Sequence, residues 1–264
     1  MAVTNGWGQG AKDNTIEWGQ GASDNKISWG KSQTLSPSGE TNITGSGGTP
    51  AFTNTLSTLF DGVDDSVSMA ANINLGTNAS FSFWMKRNNT ALNVPFGFGT
   101  NWYEFLVRIR STVVEFSNGG GYNNATTLAA INQTTDWTHM LFVRTGATCN
   151  LYVNGVNNDG AKTVNNPATD VLFRRIGTSG DGTTWAFSGL IDEVSVYNTA
   201  LSSSDATAIY NGGVPTDLTS YAPLGWFRMG DGSTFPTIND VGSGGSNGTM
   251  NNMSASNFVT DVPT

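Results

Sequence analysis

Twenty carboxylates, one histidine, one cysteine and eight tryptophans are the side chains with which this chain could do chemistry. Hydrolysis of a glycosidic bond needs two carboxyl groups roughly 5 to 10 Å apart, one donating a proton and the other attacking or activating water. The glutamates do not announce such a pair. Glu17 and Glu40 fall in the first fifty residues, and Glu104 and Glu115 flank one expected hairpin, where they could face each other or be solvated edge carboxylates. Glu193 stands beside Asp192 but on the opposite face of a strand, and no Glu-x-Asp-x-Glu pattern occurs. His139 is the single base available to a Ser/His/Asp triad, and it follows Trp137 by two residues on one strand face, which suits packing. Cys149 alone can form neither an intramolecular disulfide nor a cysteine zinc site. No catalytic residue is expected.

Two kinds of binding chemistry are better represented. Asp61, Asp64 and Asp65 cluster before a strand. Calcium takes six to eight oxygens from carboxylates, carbonyls and water, and such a cluster could contribute; turn capping is the other reading. Trp102, Tyr122 with Asn123, and Trp185 lie in turn-rich stretches, after Gly99-Thr100-Asn101, three glycines and Asp181-Gly182-Thr183-Thr184 respectively. Aromatic rings there could stack on the apolar face of a sugar while asparagine bonds its hydroxyls, or could close the end of a core.

The elements that must hold these residues are strands. Glycine at 33 of 264 residues, 11% aromatics and only 12% charged residues favour short strands and tight turns over helices. Phe81, Phe83 and Met85 share one face of a period-two pattern, Tyr103, Phe105, Val107 and Ile109 another, and Trp137, His139, Leu141 and Val143 a third. Asn154-Gly155 predicts a tight hairpin and Asn118 to Gly121 another loop. One short helix is expected after Ser202, with Asp205 completing a capping box and Gly212-Gly213 as the stop. A net charge of -8 opposes phosphate backbones and anionic lipid, so neither nucleic acid nor membrane insertion is expected. The first thirty residues lack a continuous apolar run, so synthesis in a host cytoplasm is expected.

The chain opens on a repeat. Trp7-Gly8-Gln9-Gly10-Ala11 returns as Trp18-Gly19-Gln20-Gly21-Ala22, and Trp29-Gly30 begins a third copy at the same spacing of 11. In each copy an Asp-Asn turn precedes alternating apolar residues, Ile16 with Trp18 and Ile27 with Trp29. One such unit cannot bury its apolar face alone and needs a neighbour or a partner; a flexible linker would not need these regular residues. Three arms could bury their tryptophans together, so a homo-trimer is the favoured oligomer. The arm and its polar connector occupy 1-50 and the remaining 51-264 form the main domain. The repeat resembles N-terminal arms of structural proteins from marine tailed bacteriophages, which implies anchoring to a virion through Trp7, Ile16, Trp18, Ile27 and Trp29.

In the main domain four motifs stand in order: Phe60-Asp61-Gly62-Val63-Asp64-Asp65, Phe81 to Lys86, Trp137-Thr138-His139 leading to Leu151-Tyr152-Val153-Asn154-Gly155, and Gly189-Leu190-Ile191-Asp192-Glu193-Val194. Together they resemble laminin-G-like and pentraxin-like domains of the concanavalin A-type jelly roll, which implies an all-β sandwich with one short helix. The resemblance also implies that Asp61 and Asp192 meet in one calcium site. Gly225-Trp226-Phe227-Arg228 and Ser246 to Met250 look like the segment that usually precedes the first motif, so residues 218-264 are expected to supply permuted strands of the same sandwich; a separate appendage is the alternative. If so, one of Trp226 and Phe227 should face the core and the other should lie nearer solvent. The function expected is a non-enzymatic virion appendage or decoration protein displaying a lectin-like domain toward surface glycans. A decoration protein with protein contacts only, or a polysaccharide-degrading enzyme, are the alternatives.

Overall fold

The computed structural model describes residues 52–117, 126–130 and 136–264, and the backbone of two short strands before them. The chain divides into two units, Met1–Phe52 and Thr53–Thr264. In the first, β1 (Thr15–Ile16) pairs antiparallel with β2 (Asn25–Lys26), Thr15 opposite Lys26. Those two residues hold the same place in successive copies of the repeat. Trp7, Trp18, Ile27 and Trp29 lie outside the described residues, and of Ile16 only the backbone is described.

The second unit is a two-sheet antiparallel sandwich. Its strands are β3 (Ser57–Asp61), β4 (Ser66–Gly76), β5 (Asn78–Arg87), β6 (Asn93–Gly97), β7 (Phe105–Arg110), β8 (Val113–Phe116), β9 (Thr126–Ala130), β10 (Thr138–Thr145), β11 (Thr148–Val153), β12 (Val156–Asn157), β13 (Lys162–Thr163), β14 (Val171–Ile176) and β15 (Ser188–Tyr197). After the helix α1 (Ser203–Tyr210) come β16 (Gly225–Phe227), β17 (Thr237–Ile238), β18 (Gly248–Asn251) and β19 (Phe258–Val259). One sheet runs β12-β11-β10-β5-β15-β3-β19 with β16 also on β15, and the other runs β17-β18-β4-β14-β6-β7-β8-β9.

Alternation decides what each strand buries. Phe81, Phe83 and Met85 of β5 and Met140 and Phe142 of β10 point between the sheets, against Phe96, Val107, Ile109 and Phe173. Phe81 and Phe142 stack with centroids 4.5 Å apart, and Phe83 meets Phe96 edge-on at 4.5 Å. Tyr103, expected on a strand with Val107 and Ile109, instead lies in a turn, because β7 begins at Phe105.

His139, Leu141 and Val143 face outward from β10 yet are buried, because α1 lies over them and packs Ala206 against Leu141, Val143 and Tyr152. The helix starts at Ser202, whose side chain accepts from the Asp205 amide while Asp205 accepts from the Ser202 amide. Asn211, in the left-handed conformation, ends it one residue before the glycines. Beside it, the Asn154-Gly155 hairpin has positive φ at both residues, the pattern of a type I′ turn, and the Gly155 carbonyl accepts from Thr207 Oγ1 at 3.2 Å.

The C-terminal segment is woven into both sheets: β16 pairs with β15, β18 with β4 and β19 with β3. A bulge between Asp192 and Ser195 interrupts the pairing of β15 with β5, and the opposite edge of β15 is divided between β3 along residues 188–191 and β16 along 194–196. Phe227 enters the core, as alternation requires. The expectation that Trp226 would then lie nearer solvent is corrected: it is buried too, because Glu193 and Arg228 cover the other face of β16.

Candidate functional site

The aromatic residues singled out in the loops converge at one corner of the sandwich. Trp102 is 48% exposed, and its ring meets Trp185 at 5.3 Å and Tyr103 at 5.6 Å, both edge-to-face. Two loops carry them, 98–104 and 177–187. The Glu104 carbonyl accepts from the Phe98 amide at 3.2 Å and the Gly180 amide at 2.9 Å, which closes the first loop and joins it to the second. A side chain at 180 would put Cβ 2.3 Å from the Phe98 carbonyl oxygen, so this junction requires glycine.

Each loop is braced by its own carboxylate. Glu104 Oε2 accepts from the amides of Thr100 at 2.6 Å and Asn101 at 2.7 Å, immediately before Trp102. Asp181 accepts from the amides of Thr183 and Thr184 and from Ser179 Oγ, immediately before Trp185. Burial pushes the Asp181 carboxyl upward, but these hydrogen bonds and one from the Thr184 hydroxyl hold it below the ordinary carboxylate value. Trp185 itself has φ 56°, rare for a bulky side chain, and its carbonyl accepts from the Val94 amide at 2.9 Å. Beneath it, Arg108 sits 5.5 Å from the ring centroid and pairs with Glu115 at 2.7 Å, which also takes Arg110 at 3.2 Å. The corner is therefore a held aromatic surface, able to stack on a flat apolar face while nearby polar groups bond its rim.

Sequence reasoning singled out Trp102 and Trp185, which the structure brings together, but not the groups that hold them. Tyr122 and Asn123 lie outside the described residues. Arg174, a further neighbour, has no motif around it; its Nη1 donates to the Gly99 carbonyl at 3.3 Å.

The acidic candidates are placed differently. Asp61 is paired with Ser188 across β3 and β15, four positions from Asp192 along β15, roughly 14 Å at about 3.4 Å per residue. The structure thus does not bring Asp61 and Asp192 together. Asp61 gathers instead with Asp64 and Asp65, one ligand atom of each lying within 4.8 Å of the others. Asp61 Oδ1 accepts from the Val63 amide at 2.7 Å, and Asp65 Oδ2 accepts from the Asp61 amide and from Asn257, which is the bonding of a capped turn. Burial raises the Asp65 carboxyl above its usual value. These three could offer calcium part of its oxygen shell.

Asp192 and Glu193 sit inside the molecule. Asp192 accepts from Asn54 Nδ2 at 2.7 Å, while Glu193 accepts from Trp226 Nε1 at 2.6 Å and Arg228 Nε at 2.9 Å. Burial raises both carboxyls, that of Asp192 well above the usual range with the neighbouring Glu193 charge adding to the effect. Glu115 faces Arg108 across β7 and β8, and Glu104 lies outside that pairing, so the two do not oppose one another. His139 is fully buried with Nε2 2.7 Å from Ser82 Oγ and its ring against Trp84; burial lowers it to about 3, leaving a neutral packing residue. Cys149 is buried and pushed up to about 12, an unreactive thiol.

Two antiparallel sheets, one short covering helix and an aromatic loop corner define a jelly-roll domain of the concanavalin A-like kind. Residues 61–207 match the laminin-G-like family model described as the concanavalin A-like lectin/glucanases superfamily, and the chain belongs to that family. Among solved structures it is similar to a Bacteroides ovatus protein assigned to carbohydrate binding, with TM-score 0.60 and 17% identity, over 80% of this chain and 62% of that one. The chain thus spans less than two thirds of that protein. A heptameric pentraxin from Limulus polyphemus aligns with TM-score 0.49 and 14% identity, over 60% of this chain and 82% of that one. No curated protein matches the sequence. Among the described residues no helix is long and apolar enough to cross a membrane.

Proposed function

We propose that the domain is a lectin-like, non-enzymatic glycan-binding module, displayed on a bacteriophage virion by its N-terminal repeat arm. The observation that carries the binding role is the exposed Trp102 packed on Trp185, with each loop braced by hydrogen bonds to its own carboxylate. Membership of a lectin and glucanase superfamily supports it, as does the carbohydrate-binding assignment of the Bacteroides ovatus protein with the same fold. A glycan array probed with the full chain and with Trp102→Ala tests this. Binding that the substitution removes is the expected result, silence of the array would favour a decoration protein with protein contacts only, and release of reducing sugar would mark an enzyme.

For the arm, the supporting observation is the 11-residue repeat, two copies of which pair through β1 and β2. Deleting residues 1 to 45 should leave the sandwich folded and abolish incorporation into particles; undiminished incorporation would defeat the anchoring role. Trimeric assembly belongs to the same proposal, and a monomeric mass at micromolar concentration would remove it.

A further inference from the structure

The chain is acidic overall, yet four of its arginines, Arg108, Arg110, Arg174 and Arg175, collect around the aromatic corner. Their partners differ. Arg108 and Arg110 share the carboxylate of Glu115. Arg174 and Arg175 reach the seam between the two loops, where Arg174 Nη1 donates to the Gly99 carbonyl at 3.3 Å and Arg175 Nε to the Gly180 carbonyl at 2.9 Å. Those glycines belong to the strip of backbone where residue 180 abuts Phe98 and Asn101. Among the described residues no carboxylate forms an ion pair with either arginine. The nearby acids are engaged elsewhere: Glu104 on the Thr100 and Asn101 amides, Asp181 on Ser179, Thr183 and Thr184. Arg174 is half-buried, and its guanidinium is anchored through Nη1 on the Gly99 carbonyl, which opens the loop that carries the exposed Trp102. A guanidinium so held at the rim of an exposed aromatic ring, with no carboxylate among the described residues paired to it, is a group that an anion would complete.

We propose that the corner selects an acidic sugar residue, with the ring on Trp102 and a carboxylate or sulfate ester on the guanidinium of Arg174. The inference rests on the glycan-binding reading and sharpens it to a ligand class. Arginine suits the role because its planar fork matches both oxyanions and its charge persists at every physiological pH. Arg175 adds positive potential from the next position, offset in part by Asp181, whose charge acts on it without closing an ion pair.

Calorimetry on the full chain separates the possibilities. The probes are oligogalacturonate against its methyl ester, and a sulfated galactan oligosaccharide against the desulfated form, so that each pair differs only at the charged group and the two pairs distinguish carboxylate from sulfate. At least one acidic form should bind about tenfold or more tightly than its neutral twin, as a charge-assisted hydrogen bond warrants. Arg174→Gln should bring the acidic form down to the affinity of its neutral twin, while Trp102→Ala should remove binding of both. Added salt should weaken the acidic ligand and leave the neutral one unchanged, a wild-type measurement that stands even where the arginine variant fails to fold. Equal binding of charged and neutral twins would overturn the acidic assignment and leave the glycan reading intact, as would an acid preference that survives Arg174→Gln. Binding of none of the four would overturn both.

Discussion

Two clusters in this molecule are built from the same three side chains. At the β15–β16 junction Arg228 lies 5.8 Å from the Trp226 ring and pairs with Glu193; at the loop corner Arg108 lies 5.5 Å from the Trp185 ring and pairs with Glu115. The difference is what stands next to them. The junction is sealed by the chain itself, with Thr53 accepting from Arg228 and Asn54 donating to Asp192, and Trp226 is 5% exposed. The corner carries a second tryptophan, Trp102, into solvent. Tryptophan, arginine and carboxylate therefore do not by themselves mark a surface open to a ligand; the proposed site differs in having an exposed aromatic neighbour on braced loops.

Removing the junction should have the largest effect. Truncation after Gly213 deletes β16, β18 and β19, leaving three strand edges unpaired and uncovering the core around Val67, so the fragment should aggregate rather than melt cooperatively. A soluble, cooperatively melting fragment of residues 46 to 216 would show the C-terminal segment to be an appendage and end the permuted-sandwich reading. Next in size is Arg228→Ala, which strands the buried Glu193 charge and should cost about 3 kcal/mol in denaturant unfolding, whereas Arg110→Ala, on a half-exposed side chain at the corner, should cost about 1 kcal/mol or less.

Acid tests a third enclosed cluster, under α1. His139 has its folded value lowered to about 3 from an ordinary 6.5, so the unfolded chain binds the extra proton first. Its contribution is complete above pH 6.5 and is lost as pH falls toward 3, on the order of 4 kcal/mol at the end of that window. The raised carboxyls of Asp192 and Glu193 act with the opposite sign, favouring the folded state as they protonate. Unfolding curves of His139→Gln should therefore show a flatter loss between pH 6.5 and 3 than those of the parent chain. Smallest is the effect of metal. If calcium binds at Asp61, Asp64 and Asp65, chelator should lower the melting temperature and added calcium restore it by mass action; no shift in either direction removes calcium from the account.

What could be read from residue order was local. The Ser202/Asp205 capping box and the Asn154-Gly155 turn each declare themselves within four residues, and both are present. Alternation sorted Phe81 from Ser82 and Phe227 from Trp226, but what covers the outward face depends on residues far along the chain: α1 over His139, and Glu193 over Trp226. The first and fourth motifs did become paired strands, β3 and β15, yet motif order carries no register, and register sets Asp61 against Ser188 rather than near Asp192. At the corner, the tryptophans were legible as aromatic residues in turn-rich stretches. Arg174 was not, because its meaning comes from a carbonyl 75 residues away in sequence.

If the loop corner, and not the junction, meets the ligand, the tryptophan indole N–H signals report it. Each of the eight tryptophans gives one such signal, assignable by single substitution. Titration with oligogalacturonate, the sulfated galactan and their neutral forms should move the signals of Trp102 and Trp185 in step with saturation while that of Trp226 stays still. Saturable movement of Trp226 with Trp102 and Trp185 unchanged, or no movement of the corner signals with any of the four, would contradict the account.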